Sequence, residues 1–589
     1  MTQELTKIGD SKYFEQNGKI FTDTKEGPMQ ISNFTAEILD EQVFHDGQKI
    51  TTILKLRGKL NQGDNAEQRD LPLITVPAAD FASCGWVADK WGMAPIIFPV
   101  SNATADLKTA IQLRSTPRRQ DIYTHTGWTK IDGKKTYLTT AGGIQADQFD
   151  AGITVQLPDE LKKFSLPPAD SSAVHFGNFL RLINLGPKHI TWPLLLGTVR
   201  AAIGAADFAL HLAGRTGTYK SEVASLFQSA YGEDMDARHL PASWNSTANA
   251  LEALAYRAKN ALIVVDDFVP QGTPYQVRTL QAKADSFIRA QGNQAGRARL
   301  TDASSMQQTY FPRGIILSTG EDIPEGHSVR ARMIIVELAP GDIDANKLTE
   351  CQNNRPSYAK FMSSFIHWLC KNDMVETQKH LAKEFRNAYI GIGHSRTPSI
   401  MGELIATAYI LKDYAAAEKL FDDRVLTEMT AKAERAIVAA GNMQIEYLHD
   451  ADPATTFCES IRQMLITSAG HFRTTNGGIP HSPTAYGWQT DNALHQHETW
   501  TAKGPKLGWI DTSSNEMYFD PAAMGIIRKT ANGKLAVTPQ TLAKRLKESG
   551  VLVRTDTARE RNTVRMTLEG HPRNVLVLDL AQVMGDITN

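Results

Sequence analysis

Cysteine is scarce. The chain carries four among 589 residues, Cys84, Cys351, Cys370 and Cys458, far apart and with no CxxC pair. That excludes a disulfide framework and a cysteine zinc site, and it suits a reduced cytoplasm. Charge of one sign is lacking as well: 63 Lys and Arg stand against 64 Asp and Glu, a net charge of −1. A globally basic, polyanion-coating surface is thereby excluded, whereas local basic patches are not, because net charge is a sum. Long apolar runs are missing. The most apolar stretch, residues 192–210, is interrupted by Arg200 and Asp207, too short an uncharged run for a bilayer helix. Residues 1–7 have no apolar core, so no signal peptide is expected, no membrane partner is implied, and the expected location is the cytoplasm. Neither an internal repeat nor a low-complexity tail is visible.

What is present is ordinary globular material, 42% hydrophobic and 22% charged, with a length that suggests about four domains. The expected fold class is multidomain α+β in four parts. Residues 1–170 read as β-rich, with alternating runs at 50–56, 71–76, 94–100, 136–140 and 152–157, a helix at 105–113, and a boundary at Pro167-Pro168. Residues 171–345 alternate helices with wholly apolar strands at 208–212, 261–265, 314–317 and 333–338, the pattern of a parallel sheet covered on both faces. Residues 346–480 read as helical, with apolar i, i+3, i+4 spacing at 400–420 and 431–445. Residues 481–589 are mixed.

The strongest local signal is an apolar strand running into Gly214-Arg215-Thr216-Gly217-Thr218-Tyr219-Lys220-Ser221 and then a helix. Glycines let backbone N–H groups curl around a polyphosphate, and the helix N-terminus adds favourable partial charge. Lys220 would reach the β- and γ-phosphates of ATP, and Ser221 would ligate Mg²⁺. Tyr219 stands where a P-loop has glycine, a position that accepts a side chain if φ stays negative or the ring points outward. Forty-six residues after Lys220, an apolar strand ends in Asp266-Asp267. Asp266 would hold Mg²⁺ and Asp267, one methylene shorter than the usual Glu, would polarise the attacking water. A third strand ends in Ser318-Thr319-Gly320-Glu321, where Ser318 or Thr319 would sense the γ-phosphate. Arg330 first, and Arg332 second, would reach a neighbouring subunit's nucleotide. Each piece alone also fits a plainer role: a Gly-rich turn, helix-capping aspartates and hydroxyls, a surface arginine pair.

In this order the pieces look like an AAA+ P-loop ATPase core. More narrowly, the chain resembles helicase-like proteins of phages, plasmids and genomic islands that sit near superfamily-3 and minichromosome-maintenance helicases. Tyr123-Thr-His125-Thr-Gly127-Trp128, Gly142-Gly143, Trp244-Asn245-Ser246-Thr247 and the Ser318–Glu321 run support that narrower likeness. The resemblance implies a β-rich N-terminal collar or DNA-docking domain and a ring, in that family a hexamer, that hydrolyses ATP at subunit interfaces. It also implies translocation on single-stranded or forked DNA in replication of a mobile element, with a primase or initiator as a further partner. A rival expectation is an ATP-gated DNA-binding or phage-defence module with little unwinding.

DNA contacts are expected in two places. Arg297 and Arg299, in a Gly-flanked loop between the Asp-Asp strand and the sensor strand, would meet backbone phosphates. From Arg528 to Arg573 eleven basic residues stand against four acidic ones, an excess of seven. The order helix (539–549), strand (551–554), charged turn (556–562), strand (563–567) reads as a winged helix, with Lys544 and Lys547 on the helix and Arg559 and Arg561 on the wing. A protein-contact role for that module remains the alternative. Trp86 and Trp91 read as core, Arg396 as a helix-start surface residue, and His495-Gln-His497-Glu498 as a polar loop rather than a metal site.

Overall fold

The computed structural model describes residues 5–61, 63, 68–296, 309–449, 451–491, 499–531, 535, 537–559 and 561–585. The chain opens with an antiparallel meander, Thr6–Lys7, Tyr13–Gln16, Lys19–Thr24 and Gly27–Ser32. Asn17 and Gly18 both take positive φ between paired Gln16 and Lys19, the tight hairpin turn that an Asn-Gly pair favours. A five-stranded sheet follows in the order Thr154–Val155, Arg118–Tyr123, Phe34–His45, Ile50–Leu60, Arg69–Pro77. Trp86, Trp91 and the helix Ala103–Arg114 close its core. The stretch 94–100 is not a strand; only Ile97 forms an isolated bridge, to Ser32. Pro95 and Pro99 remove the N–H groups that a ladder would need. The expected strand at 152–157 shrinks to Thr154–Val155.

The boundary drawn at residue 170 does not coincide with the packing. A small antiparallel sheet, Gly127–Ile131, Lys134–Thr139, Gly142–Ile144 and Phe149–Asp150, contributes Tyr137 and Ile144 to the same apolar core as residues 157–437. The Tyr137 hydroxyl donates to the Asn260 carbonyl at 2.7 Å, and Trp128 Nε1 donates to the Ala202 carbonyl at 2.7 Å. That core surrounds a parallel sheet ordered Ala242–Ser243, Leu262–Phe268, Ile315–Gly320, Ala209–Gly214, Met333–Leu338. Ala209–Gly214 comes first in sequence yet lies between the two last strands: the chain leaves it for the far edge at Ala242–Ser243, and the last connection, from Ile315–Gly320, crosses over it to Met333–Leu338. A crevice at the carboxyl ends of such strands is where ligands bind in open α/β sheets.

The helices Ala345–Asn353, Arg355–Lys371, Thr397–Ala417 and Asp423–His449 share this core rather than forming a separate one. The C-terminal core, by contrast, begins at Ala454, on the helix Pro453–Ile466, and not at 481. Its sheet runs His471–Thr474, Lys506–Asp511, Glu516–Phe519, His571–Asp579, Leu552–Arg554. The expected wing differs. Leu552–Arg554 and Val564–Leu568 do not pair with each other; each pairs antiparallel with one half of His571–Asp579. Asp556 and Arg561 form an isolated bridge, and Arg559 and Arg561 are exposed. The tip falls instead at Glu569-Gly570, both at positive φ. The expected histidine loop at 495–498 and the pair Arg297 and Arg299 lie outside the described residues.

Where the N-terminal sheet meets the core of the parallel sheet, His125 is fully buried and its Nδ1 meets the Thr126 carbonyl at 2.7 Å. Burial pulls its pKa down from 6.5 to about 3. The neutral ring's contribution is present above the unfolded-chain value and is lost as pH falls through the window from 6.5 towards 3. Urea midpoints should therefore drop as pH is lowered from 7 to 4, and His125→Phe should flatten that slope. An unchanged slope would show that His125 does not drive it.

Candidate active site

The strand Ala209–Gly214 is buried along its whole length and delivers the phosphate-loop candidate to the crevice. Gly214 has φ 153°, and a Cβ there would lie 2.7 Å from the Leu338 carbonyl oxygen, so the backbone turns where a side chain would collide. Thr218 closes the loop through its hydroxyl to the Arg215 carbonyl at 2.8 Å. Tyr219 has φ 62° and ψ 21° and begins the helix Lys220–Gln228. Its φ is positive, contrary to the condition of negative φ; the side chain is accommodated because it is 44% exposed. Left-handed backbone costs a non-glycine residue roughly 1–2 kcal/mol. Tyr219→Val, with a branched Cβ, should therefore unfold at lower denaturant than Tyr219→Gly, by about 1–2 kcal/mol. Equal midpoints would contradict this backbone requirement.

Lys220 Nζ donates to the Arg215 carbonyl at 2.8 Å, folded back over the loop. Desolvation lowers its pKa, opposed by Glu321, Asp266 and Asp267 in that order. Ser221 Oγ donates to Asp266 Oδ1 at 2.8 Å, and Thr319 Oγ1 donates to the same oxygen. Thr319 Oγ1 in turn accepts the Asp267 N–H at 3.2 Å. One carboxylate oxygen thus gathers the hydroxyls of the phosphate loop and of the neighbouring strand. Hydroxyl and carboxylate oxygens are the donors a small hard cation takes, with phosphate and water completing its shell. Ser221 and Asp266 would hold Mg²⁺ here. Among the described residues no group of three or more His, Cys, Asp or Glu is placed to hold a metal.

Two sequence alternatives separate. Ser318 is fully buried and faces away: it accepts Trp244 Nε1 at 2.9 Å and meets His211 Nδ1 at 3.0 Å. Thr319 is the strand's hydroxyl at the site. Asp267 has φ 71° within a register shift between Val265 and Phe268. Its pKa is raised by desolvation, then by Asp266 and Glu321. Glu321, to which the sequence reading gave no role, accepts a hydrogen bond from Thr216 Oγ1 in the loop. His211 was also missed; its signal is one imidazole in an otherwise apolar strand. Burial lowers its pKa to about 4, so it is neutral near pH 7.

Neither expected finger arginine projects freely. Arg330 Nε donates to the Pro324 carbonyl at 3.0 Å, and its Nη1 to the Tyr447 carbonyl at 2.8 Å. Arg332 Nη1 donates to the Ser328 carbonyl at 2.6 Å, and its Nη2 to Asn293 Oδ1 at 3.1 Å. Desolvation lowers the Arg332 pKa, with Arg396 and Arg289 adding to it, so three guanidinium groups share this rim. Arg396 donates to the Gly292 carbonyl at 3.3 Å. On the C-terminal helix Pro539–Glu548, Lys544 and Lys547 are exposed, and Lys544 lies 3.8 Å from Glu548. Arg545 is exposed too and its Nη1 donates to Glu548 Oε2 at 2.8 Å. The rings of His327 and His394 lie with centroids 5.0 Å apart, and burial, with Arg545 as a lesser cause, lowers both pKa values.

Residues 97–299 match the family described as "Domain of unknown function (DUF927)". No curated protein matches the chain in sequence. A solved structure described as "SCCmec type IV Cch - active helicase" is similar at 13% identity, with 99% of this chain and 100% of that chain covered and a TM-score of 0.51. A second, "The A form apo structure of NrS-1 C terminal region-CTR", shares 13% identity over 69% of this chain and 87% of that chain, at a TM-score of 0.25. The first likeness is one of fold and extends over the whole chain. No helix among the described residues is long and apolar enough to cross a membrane.

Proposed function

We propose that this protein is an ATP-driven, ring-forming DNA helicase or translocase serving replication of a mobile genetic element. The observation that carries this reading is the meeting of Ser221, Thr319 and Asp266 beside Lys220, at the switch point of the parallel sheet. The whole-chain fold likeness to a protein named as a helicase supports the finer part. Residues 214–221 wrap the polyphosphate with backbone N–H groups, and Lys220 swings from the Arg215 carbonyl to the β- and γ-phosphates. Ser221 and Asp266 would hold Mg²⁺, which would supply charge neutralisation at the phosphates. Thr319 orients the γ-phosphate, and Asp267 lies at the rim where water is activated. Arg332, set among Arg289 and Arg396, would leave its Ser328 and Asn293 partners to reach a neighbouring subunit's nucleotide, while Arg330 braces the turn that carries it. Arg297, Arg299, Lys544, Lys547, Arg559 and Arg561 meet DNA phosphates.

Strand displacement from a forked duplex with Mg·ATP, beside Lys220→Ala, tests the reading. Displacement by the parent chain and none by the variant is expected, with rings visible by electron microscopy in the presence of single-stranded DNA. DNA-stimulated phosphate release without displacement would favour the ATP-gated DNA-binding module. Monomers under those conditions would remove the role of Arg332 across an interface.

A further inference from the structure

We propose that Glu321 is the principal base that takes the proton of the attacking water, with Asp267 assisting. The inference rests on the ATPase reading and refines it.

Strand order carries the argument. The strand Ile315–Gly320 is the immediate neighbour of the phosphate-loop strand, with Leu212 opposite Thr319 and Ala213 opposite Gly320. The strand that ends in Asp266-Asp267 lies one place further out, and of its two aspartates it is Asp266 whose carboxylate bonds the loop serine Ser221. Glu321 therefore leaves the sheet beside Gly214, and its carboxylate already touches the loop through Thr216 Oγ1. Asp267, on the outer strand, has the shorter side chain and a left-handed backbone within a bulge. Asp266 is committed to two hydroxyls. Of the three carboxylates acting on the Lys220 ammonium, Glu321 acts most strongly, although desolvation outweighs them all.

The backbone around Glu321 is held on both sides. Its N–H donates to the Phe268 carbonyl at 3.1 Å. Gly320 permits that approach, since a Cβ there would lie 2.7 Å from the same oxygen. His211 meets Ser318 Oγ at 3.0 Å and the Asp322 carbonyl at 2.9 Å, so one buried ring brackets the turn that presents Glu321. Such preorganisation suits a group that must meet water at a fixed place.

In the step, one O–H bond of water breaks and its proton passes to the Glu321 carboxylate. The water oxygen bonds to the γ-phosphorus. The bond from that phosphorus to the β–γ bridging oxygen breaks, and its electron pair stays on ADP beside Lys220. Glu321 then releases the proton to phosphate or solvent.

The full chain is compared with Glu321→Gln, Asp267→Asn and Thr216→Val in steady-state phosphate release, and in binding of a fluorescent non-hydrolysable ATP analogue. Glu321→Gln should lower kcat by about 100-fold or more and leave the analogue Kd within about threefold, while Asp267→Asn should cost about tenfold or less. The proposal is overturned if Glu321→Gln keeps kcat, if it loses analogue binding, if Asp267→Asn costs as much, or if Thr216→Val reproduces its loss. That last result would make Glu321 an anchor of the loop. A parent chain that neither binds the analogue nor releases phosphate overturns the ATPase reading and this proposal together. Turnover that survives Glu321→Gln overturns this proposal alone.

Discussion

Asp266→Ala is expected to lower Mg²⁺-dependent ATP turnover by about a thousandfold or more, a loss of roughly 4 kcal/mol of transition-state stabilisation. One carboxylate oxygen accepts the hydroxyls of both Ser221 and Thr319. Removing it takes away the anionic member of the cation site and leaves two hydroxyls without their acceptor. Charge build-up between the β- and γ-phosphates then loses its main counterweight, because phosphoryl transfer depends on positioned opposite charge more than on covalent participation by the protein. Nucleotide binding without Mg²⁺ should persist, since the loop N–H groups and Lys220 are untouched. The measurement is phosphate release across a Mg²⁺ titration, with binding followed in chelator. Turnover within tenfold of the parent would remove Asp266 from the site. Recovery at high Mg²⁺ would make it a matter of cation affinity alone.

The parallel strands were legible because a sheet covered on both faces demands unbroken apolar runs. The reading at 333–338 coincides with the strand Met333–Leu338, and the other three strands extend beyond their runs only at the polar ends that form the site. Those ends are where sequence is least informative. Nothing in the letters of Tyr219 reveals its left-handed backbone, and nothing in Ser318-Thr319 says which hydroxyl faces the crevice. Strand alternation decides that only once the register is known. Glu321 escaped notice because its importance comes from strand order, not from spacing along the chain.

Domain limits were legible as backbone punctuation and misleading as packing. Pro167-Pro168 interrupts the chain, yet Tyr137 and Ile144 before it already belong to the core around the parallel sheet. Conversely, Asp452-Pro453 is a breaker that coincides with the start of the C-terminal core, because the helix it opens packs its apolar face there. The basic C-terminal segment was correctly seen as cationic. Which of these charges are already paired required the neighbours that only folding supplies: Lys544, Arg545 and Lys547 are all exposed, and Arg545 bonds Glu548 at 2.8 Å.

Glu403→Leu is expected to destabilise the chain by about 3–5 kcal/mol, the cost of leaving a buried charge without its partner. Arg200 is 5% exposed, on the helix Lys188–Ile203 that precedes the phosphate-loop strand. Its Nε donates to Glu403 Oε2 at 2.7 Å, and its two terminal nitrogens donate to the carbonyls of Gly204 and Ala205 at 3.1 and 2.7 Å. Glu403 sits on the helix Thr397–Ala417 and also accepts Gln378 Nε2 at 2.9 Å. The pair therefore ties the helix Lys188–Ile203 to the helices Thr397–Ala417 and Val375–Ala388, the latter through Gln378. Leucine fills much of the volume but offers no acceptor, so the guanidinium keeps its desolvation cost and loses its counter-charge. Glu403→Gln, which retains an acceptor oxygen, should cost less. Arg200→Met together with Glu403→Leu should recover part of the loss, because two apolar side chains strand neither charge. Urea unfolding of the four chains gives the comparison, read from the first transition in a multidomain protein. If Glu403→Leu and the double variant unfold at the same midpoint, the stranded charge is not the cause. The Arg200–Glu403 pair would then be a local contact rather than the link between the helix that precedes the phosphate-loop candidate and the helices after residue 346.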